Sequence, residues 1–165
     1  MRILLCGGAG YIGAHTYVVL VERGHDVVVA DNFSNSSPGV LTRLQQITGH
    51  PVPFQPLDLR EREAVSRFFE RQPFDAVVHF AALKSVGESC ERPLDYFHNN
   101  IGGTLNLLHG MQAAGVRRLV FSSSATVYGD PASVPVREDA SLQVTNPYGR
   151  TKLVMEGRIG DLCRS

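Results

Sequence analysis

The run Ile3-Leu4-Leu5-Cys6-Gly7-Gly8-Ala9-Gly10-Tyr11-Ile12-Gly13 decides the fold. Its apolar opening reads as a buried strand, and the glycines behind it open a helix over 11–23 that stops at Gly24. In that context Gly7 allows a tight turn, Gly10 lets the backbone approach a pyrophosphate, and Gly13 lets helix and strand pack closely. The first helical turn then offers free amides and roughly half a positive charge to a phosphate. A glycine trio alone also occurs in purely structural turns, so the reading needs support from elsewhere in the chain.

Asp31 supplies it. It ends the second apolar run, 27–30, about 20 residues beyond the glycines, where an acid hydrogen-bonds the adenosine ribose diol. A carboxylate there repels a 2′-phosphate, and no arginine stands in the next few positions, so the expected cofactor is NAD rather than NADP. Asn32 adds a polar partner; the plainer alternative for Asp31 is a turn residue. Asp58-Leu59 follows a third short run and is placed to reach the adenine, although Asp58 also reads as the N-cap of a helix beginning at Arg60. Ala81-Ala82-Leu83-Lys84 sets small residues and then a cation after the fourth run, at the strand ends where open α/β sheets hold ligands.

Short apolar runs at 3–6, 27–30, 52–55, 76–80 and 119–122 alternate with helical patterns at 11–23, 40–48, 60–71, 93–114 and 147–163. Near-continuous apolar runs mark strands covered on both faces, and β-α-β alternation implies an α/β fold built on a doubly wound parallel sheet. Two polar loops, 32–39 and 129–145, interrupt the pattern, the second holding Pro131 and Pro135.

The 165 residues are 43% hydrophobic and 19% charged, a globular composition. Sixteen basic residues balance sixteen acidic ones, which argues against a nucleic-acid or anionic-membrane partner. Cys6, Cys90 and Cys163 are odd in number and lack metal-ligand spacing. They read as free thiols of a reducing compartment, with Cys6 a small core residue and no metal expected. The first apolar stretch is too short for a signal peptide, and none approaches the roughly 20 residues of a membrane span. A cytoplasmic location follows as the expectation.

Chemistry enters with Asn146-Pro147-Tyr148-Gly149-Arg150-Thr151-Lys152. Residues four apart share a helix face, so Lys152 lies beside Tyr148. A free phenol, with a pKa of about 10, is a poor base at neutrality, and a neighbouring ammonium favours its charged form. That suits a group that takes and returns a proton. Upstream, Ser122-Ser123-Ser124-Ala125-Thr126 leaves the fifth strand and offers hydroxyls to a substrate oxygen. A Tyr-Lys pair is common on surface helices and serines are ordinary turn-formers. Their combination with the glycine turn is what points to a nicotinamide-dependent redox site.

Three segments carry a resemblance: Gly7-Gly8-Ala9-Gly10-Tyr11-Ile12-Gly13; His79-Phe80-Ala81-Ala82-Leu83-Lys84-Ser85-Val86-Gly87-Glu88-Ser89; and Phe121-Ser122-Ser123-Ser124-Ala125-Thr126-Val127-Tyr128-Gly129. Over essentially the whole chain the sequence resembles the extended short-chain dehydrogenase/reductase family of sugar-nucleotide enzymes. The last two segments resemble its epimerase branch; in the dehydratase branch an acidic pair follows the active-site hydroxyl, and Ala125-Thr126-Val127 offers none. Cys6 in place of a threonine and Thr151 in place of a serine are mild departures.

The resemblance implies a Rossmann-like NAD-binding domain over 1–165, incomplete at its C-terminal sheet edge, with the substrate domain outside these residues. It implies interconversion of UDP-glucose and UDP-galactose by transient oxidation at sugar C4. Tyr148, Lys152 and Ser124 would be catalytic, with Lys84, Ser124, Thr126 and Tyr148 on the UDP-sugar. Gly7, Gly10, Tyr11, Ile12, Gly13, Asp31, Asn32, Asp58, Leu59, Phe80, Ala81, Lys84, Asn99, Ser122, Tyr148 and Lys152 would hold NAD. A homodimer is also implied, through helices 93–114 and 147–163, with Leu105, Leu107, Leu108, Leu153, Val154 and Ile159 as candidate contacts. An enzyme for another sugar nucleotide and a non-catalytic NAD-binding module remain the alternatives.

Overall fold

Five strands, β1 (Arg2–Cys6), β2 (Asp26–Asp31), β3 (Phe54–Pro56), β4 (Ala76–His79) and β5 (Leu119–Phe121), form one parallel sheet in the order β3-β2-β1-β4-β5. The structure is a computed structural model and describes residues 1–164. These group into two compact units, Met1–Ala82 with Leu105–Ser122, and Leu83–Thr104 with the segment from Ser123 onward. The whole sheet belongs to the first.

In that unit β1 is central, pairing with β2 and β4 so that Leu4 lies opposite both Val28 and Val77. Successive strand residues point to opposite faces. Ile3, Leu5, Val27 and Val29 pack on one face with Tyr17 of α1 (Tyr11–Glu22) and Leu44 of α2 (Gly39–Thr48). Leu4, Cys6, Val28 and Val77 are also buried, which is why these strands read as unbroken apolar runs. Val65, Phe68 and Phe69 of α3 (Arg62–Arg71) are buried as well, and Gly110 lets α6 (Gly103–Ala113) approach the Phe69 ring closely. Burial pushes the Cys6 thiol up to about 12, with Asp31 adding to the effect, so Cys6 is an inert core residue as expected. At the sheet edge β5 leaves Val120 60% exposed.

Expectations change at several points. The third helix begins at Arg62 rather than Arg60, because the Asp58 carboxylate takes the Arg60 amide in a turn that precedes it. Leu107 and Leu108 are buried within the chain, so neither remains a candidate for a surface between copies; Leu105 and Val154 are exposed.

The second unit corrects the long helix expected over 93–114. Its first part is α4 (Val86–Glu91), a short α5 (Pro93–Tyr96) and a π-helical turn (Phe97–Gly102), and only after that turn does α6 begin. One extra residue per π-turn rotates the helix phase, and such turns are frequent at functional sites. A 3₁₀ turn (Ala125–Tyr128) and α7 (Pro147–Arg164) complete the unit. No helix among the described residues is long and apolar enough to cross a membrane.

Candidate active site

The glycine turn of the first unit is built by close approach. A Cβ on Gly7 would stand 2.5 Å from the Ala81 nitrogen, and one on Gly13 would stand 2.2 Å from the Gly7 carbonyl oxygen. Gly10, at the N-cap of α1, has no side chain to spend on the helix end, and no acid stands in the first turn. Helix geometry leaves the amides of Tyr11, Ile12 and Gly13 without intrahelical acceptors, and the Tyr11 and Ile12 side chains are exposed. Such an end suits an anion. Gly13→Ala should destabilise the chain by about 1–3 kcal/mol, since backbone must move to admit the methyl. It should also weaken NAD binding more than about tenfold, as urea unfolding and calorimetry would measure.

Asp31 is tied to that turn. Its carboxylate accepts the Ala9 amide (3.1 Å), the Phe33 amide (2.8 Å) and the Ser36 hydroxyl (3.0 Å), which fixes its orientation at the end of β2. Asn32 donates to Asp58 (3.1 Å), so two expected cofactor residues form one pair. The Arg60 guanidinium, hydrogen-bonded to the Asp58 carboxylate, holds it down to about 2. Asn106 of α6 donates to the Leu59 carbonyl (2.9 Å), anchoring the same loop. The Phe80 and Ala81 amides both reach the Cys6 carbonyl, and the Ser122 amide bonds the His79 carbonyl, so these positions sit at the carboxyl ends of β4 and β5.

In the second unit α7 carries Tyr148 and Lys152 one turn apart, 9% and 4% exposed. Burial depresses Lys152 to about 8. Asn146 is the N-cap: its side chain takes the Gly149 amide (2.8 Å), and Pro147 follows at the first helical position. The Tyr148 amide is taken by the buried Ser89 hydroxyl (3.2 Å), which itself donates to the Val86 carbonyl (2.6 Å). Thr151 donates to the Tyr148 carbonyl (2.7 Å) and accepts from Asn100 (3.1 Å), work that the more usual serine hydroxyl could also do. Asn100, in the π-turn, also exchanges two 2.8 Å bonds with the Leu83 peptide beside Lys84. Its neighbour Asn99 donates to it (2.9 Å), while the Lys84 side chain is exposed.

Ser124 caps the 3₁₀ turn. Its Oγ accepts from the Thr126 amide (3.2 Å) and the Thr126 hydroxyl (2.9 Å), which leaves its own O–H as a donor. A Cβ on Gly149 would stand 3.0 Å from the Thr126 carbonyl and 3.1 Å from its hydroxyl, so this glycine lets α7 lie against the Ser124 turn. Gly149→Ala should force the two apart by a few tenths of an ångström, which shifts of the Thr126 and Val127 amide resonances in NMR spectra would report. A cleft of about 620 Å³ opens beside this turn, lined by Ser123, Ser124, Tyr128, Glu138, Leu142 and Glu156.

Ser89, Asn100, Asn146 and Gly149 escaped the sequence reading. Only Asn146 had a usable local signal, an N-cap residue directly before a first-turn proline.

Comparison with known proteins identifies the family. Residues 3–164 match the NAD dependent epimerase/dehydratase family. A UDP-glucose 4-epimerase of Dictyostelium discoideum is 52% identical over 164 residues, covering 99% of this chain and 48% of that protein. The crystal structure of a UDP-glucose 4-epimerase from Stenotrophomonas maltophila with bound NAD and formylated UDP-arabinopyranose is 51% identical with a TM-score of 0.94, over 98% of this chain and 48% of that one. One from Bifidobacterium longum in complex with NAD+ and UDP is 44% identical with a TM-score of 0.95, over 98% and 49%. The chain thus spans about half the length of the relatives it matches. On the match across residues 3–164, the chain belongs to the NAD dependent epimerase/dehydratase family.

Proposed function

We propose that this chain is the NAD-binding and proton-transfer portion of a UDP-glucose 4-epimerase, interconverting UDP-glucose and UDP-galactose. The observation that carries the reading is α7, where Tyr148 and Lys152 are buried one turn apart while Gly149 brings the helix against the Ser124 turn. The residues fit the cofactor. A Cβ at position 7 or 13 would fill the turn, the start of α1 is uncapped by any side chain, and the Asp31 carboxylate is held on the Ala9 amide.

Gly7, Gly10, Tyr11, Ile12 and Gly13 would hold the pyrophosphate, Asp31 and Asn32 the adenosine ribose, and Asp58 and Leu59 the adenine. Phe80, Ala81, Lys84, Asn99, Ser122, Tyr148 and Lys152 complete the proposed cofactor set. NAD, when bound, supplies the acceptor and donor for hydride at sugar C4. The protein's own part is proton handling and orientation. Tyr148 takes the proton of the 4-hydroxyl and returns it, Ser124 donates its free O–H to the 4-oxygen, and Lys152 places a cation one turn from the phenol. Lys84 and Thr126 would contact the UDP-sugar.

A homodimer fits the exposed Leu105 and Val154, and a cytoplasmic location fits three free cysteines, two of them exposed. The test is conversion of UDP-galactose to UDP-glucose by the protein with NAD or NADP supplied, alongside UDP-N-acetylgalactosamine. Turnover of UDP-galactose with NAD alone supports the reading. Turnover confined to the N-acetyl sugar reassigns the substrate, and NAD binding with no turnover makes the chain a cofactor-binding module.

A further inference from the structure

Tyr148 and Lys152 belong to a stripe on α7 that continues to Glu156, again four residues on. Glu156 has no part in the proton transfer at C4, yet its carboxylate Oε1 accepts the hydroxyl of Ser123 across 33 residues of sequence. Ser123 directly precedes Ser124 and lines the same cleft with it and Glu156. We propose that Glu156 is the positioning residue for the Ser124 hydroxyl, a role that rests on Ser124 being the donor to the sugar 4-oxygen.

The geometry supports this at two levels of the helix. Near the start of α7 the Ser124 turn is held by close approach, Gly149 against the Thr126 backbone and hydroxyl. Two turns further on it is held by the Ser123–Glu156 bond, in which a carboxylate acceptor makes the interaction charge-assisted and stronger than a neutral one. Between these points Ser124 Oγ takes the Thr126 amide and hydroxyl, and its carbonyl takes the Val127 amide (3.1 Å). With both ends of the segment fixed and both acceptor positions of Oγ taken by Thr126, one direction remains for the O–H. Remove the Glu156 end and the Ser123-Ser124 peptide can pivot about the Gly149 contact, which aims the donor away without emptying the site.

The test has one readout independent of turnover and one within it. Amide exchange at Thr126 and Val127, followed by NMR in the protein with NAD supplied, should accelerate about tenfold in Glu156→Ala and equally in Ser123→Ala. In UDP-galactose turnover both should lose about tenfold in kcat with KM within about threefold, and Glu156→Gln, which keeps an acceptor oxygen, should restore most of it. In a Ser124→Ala background Glu156→Ala should change kcat less than about twofold, because its effect passes through that hydroxyl. Unchanged exchange overturns the proposal. So does a Glu156→Ala loss that persists undiminished in the Ser124→Ala background, the signature of a merely structural residue. If Glu156→Ala does not fold, Ser123→Ala decides on the same criteria. Lack of turnover by the unmodified protein would sink the epimerase reading while the exchange result still judges this one.

Discussion

In the proposed reaction, replacing Tyr148 with phenylalanine should lower kcat by about three orders of magnitude, the middle of the range a positioned acid–base group contributes. KM for UDP-galactose stays within about threefold, because the lost interaction is made in the transition state rather than in binding. The ring is almost fully buried, its backbone amide is held by Ser89 and its carbonyl by Thr151, so the phenylalanine ring keeps its place and only the hydroxyl goes. Steady-state kinetics and a thermal melt decide it. A loss below about tenfold with an unshifted melt would remove Tyr148 from the proton path.

Lys152→Met should abolish turnover and yet stabilise the chain free of NAD. Lys152 is buried at 4% exposure, and burial lowers its pKa from 10.5 to about 8. The sign follows from proton counting. Between pH 8 and 10.5 the unfolded chain holds a proton on this lysine that the folded chain has lost, so stability rises with pH across that window. Below pH 8 both states are charged and the full burden of the buried ammonium is present, about 3 kcal/mol. Methionine fills similar space without charge. The variant should therefore exceed the parent at pH 7, with the gap closing toward pH 10.5. Urea unfolding across the pH series, read as variant minus parent, cancels the other titrating groups. A gap that is absent or grows with pH would contradict a lysine kept buried against its own solvation, the sign of a site in which function outweighs stability.

What was legible in the sequence follows its physical scale. The sheet could be read because β1, β2 and β4 are buried on both faces and so appear as unbroken apolar runs. The glycine turn could be read because close backbone approach admits nothing larger at Gly7 and Gly13. Asp31 was legible from its distance to that turn, and the structure ties the two through the Ala9 amide. Cys6 showed as core from its place in the first run.

The helix expected over 93–114 failed for a different reason. Four- and six-residue pieces show no periodicity, and a π-turn at Phe97–Gly102 shifts the phase without any distinctive residue type. Asp58 looked like a helix cap because an Asx turn and an N-cap use the same side chain, and only the Arg60 contact separates them. Asn100 joins Leu83 to Thr151, and Glu156 joins Ser123, across dozens of residues. Links of that kind exist only after folding, which is why the reacting groups were readable and the groups that hold them were not.

The central claim is that hydride leaves sugar C4 and comes back to the same carbon. The measurement is conversion of UDP-galactose carrying deuterium at C4, in ordinary water, with the UDP-glucose product examined by mass and NMR. Deuterium retained at C4 in the product is the result expected when the hydrogen moves as hydride within one site. Product with its C4 deuterium replaced from water would mean that the hydrogen leaves as a proton, and the proposed roles of Tyr148, Ser124 and Lys152 would fall together.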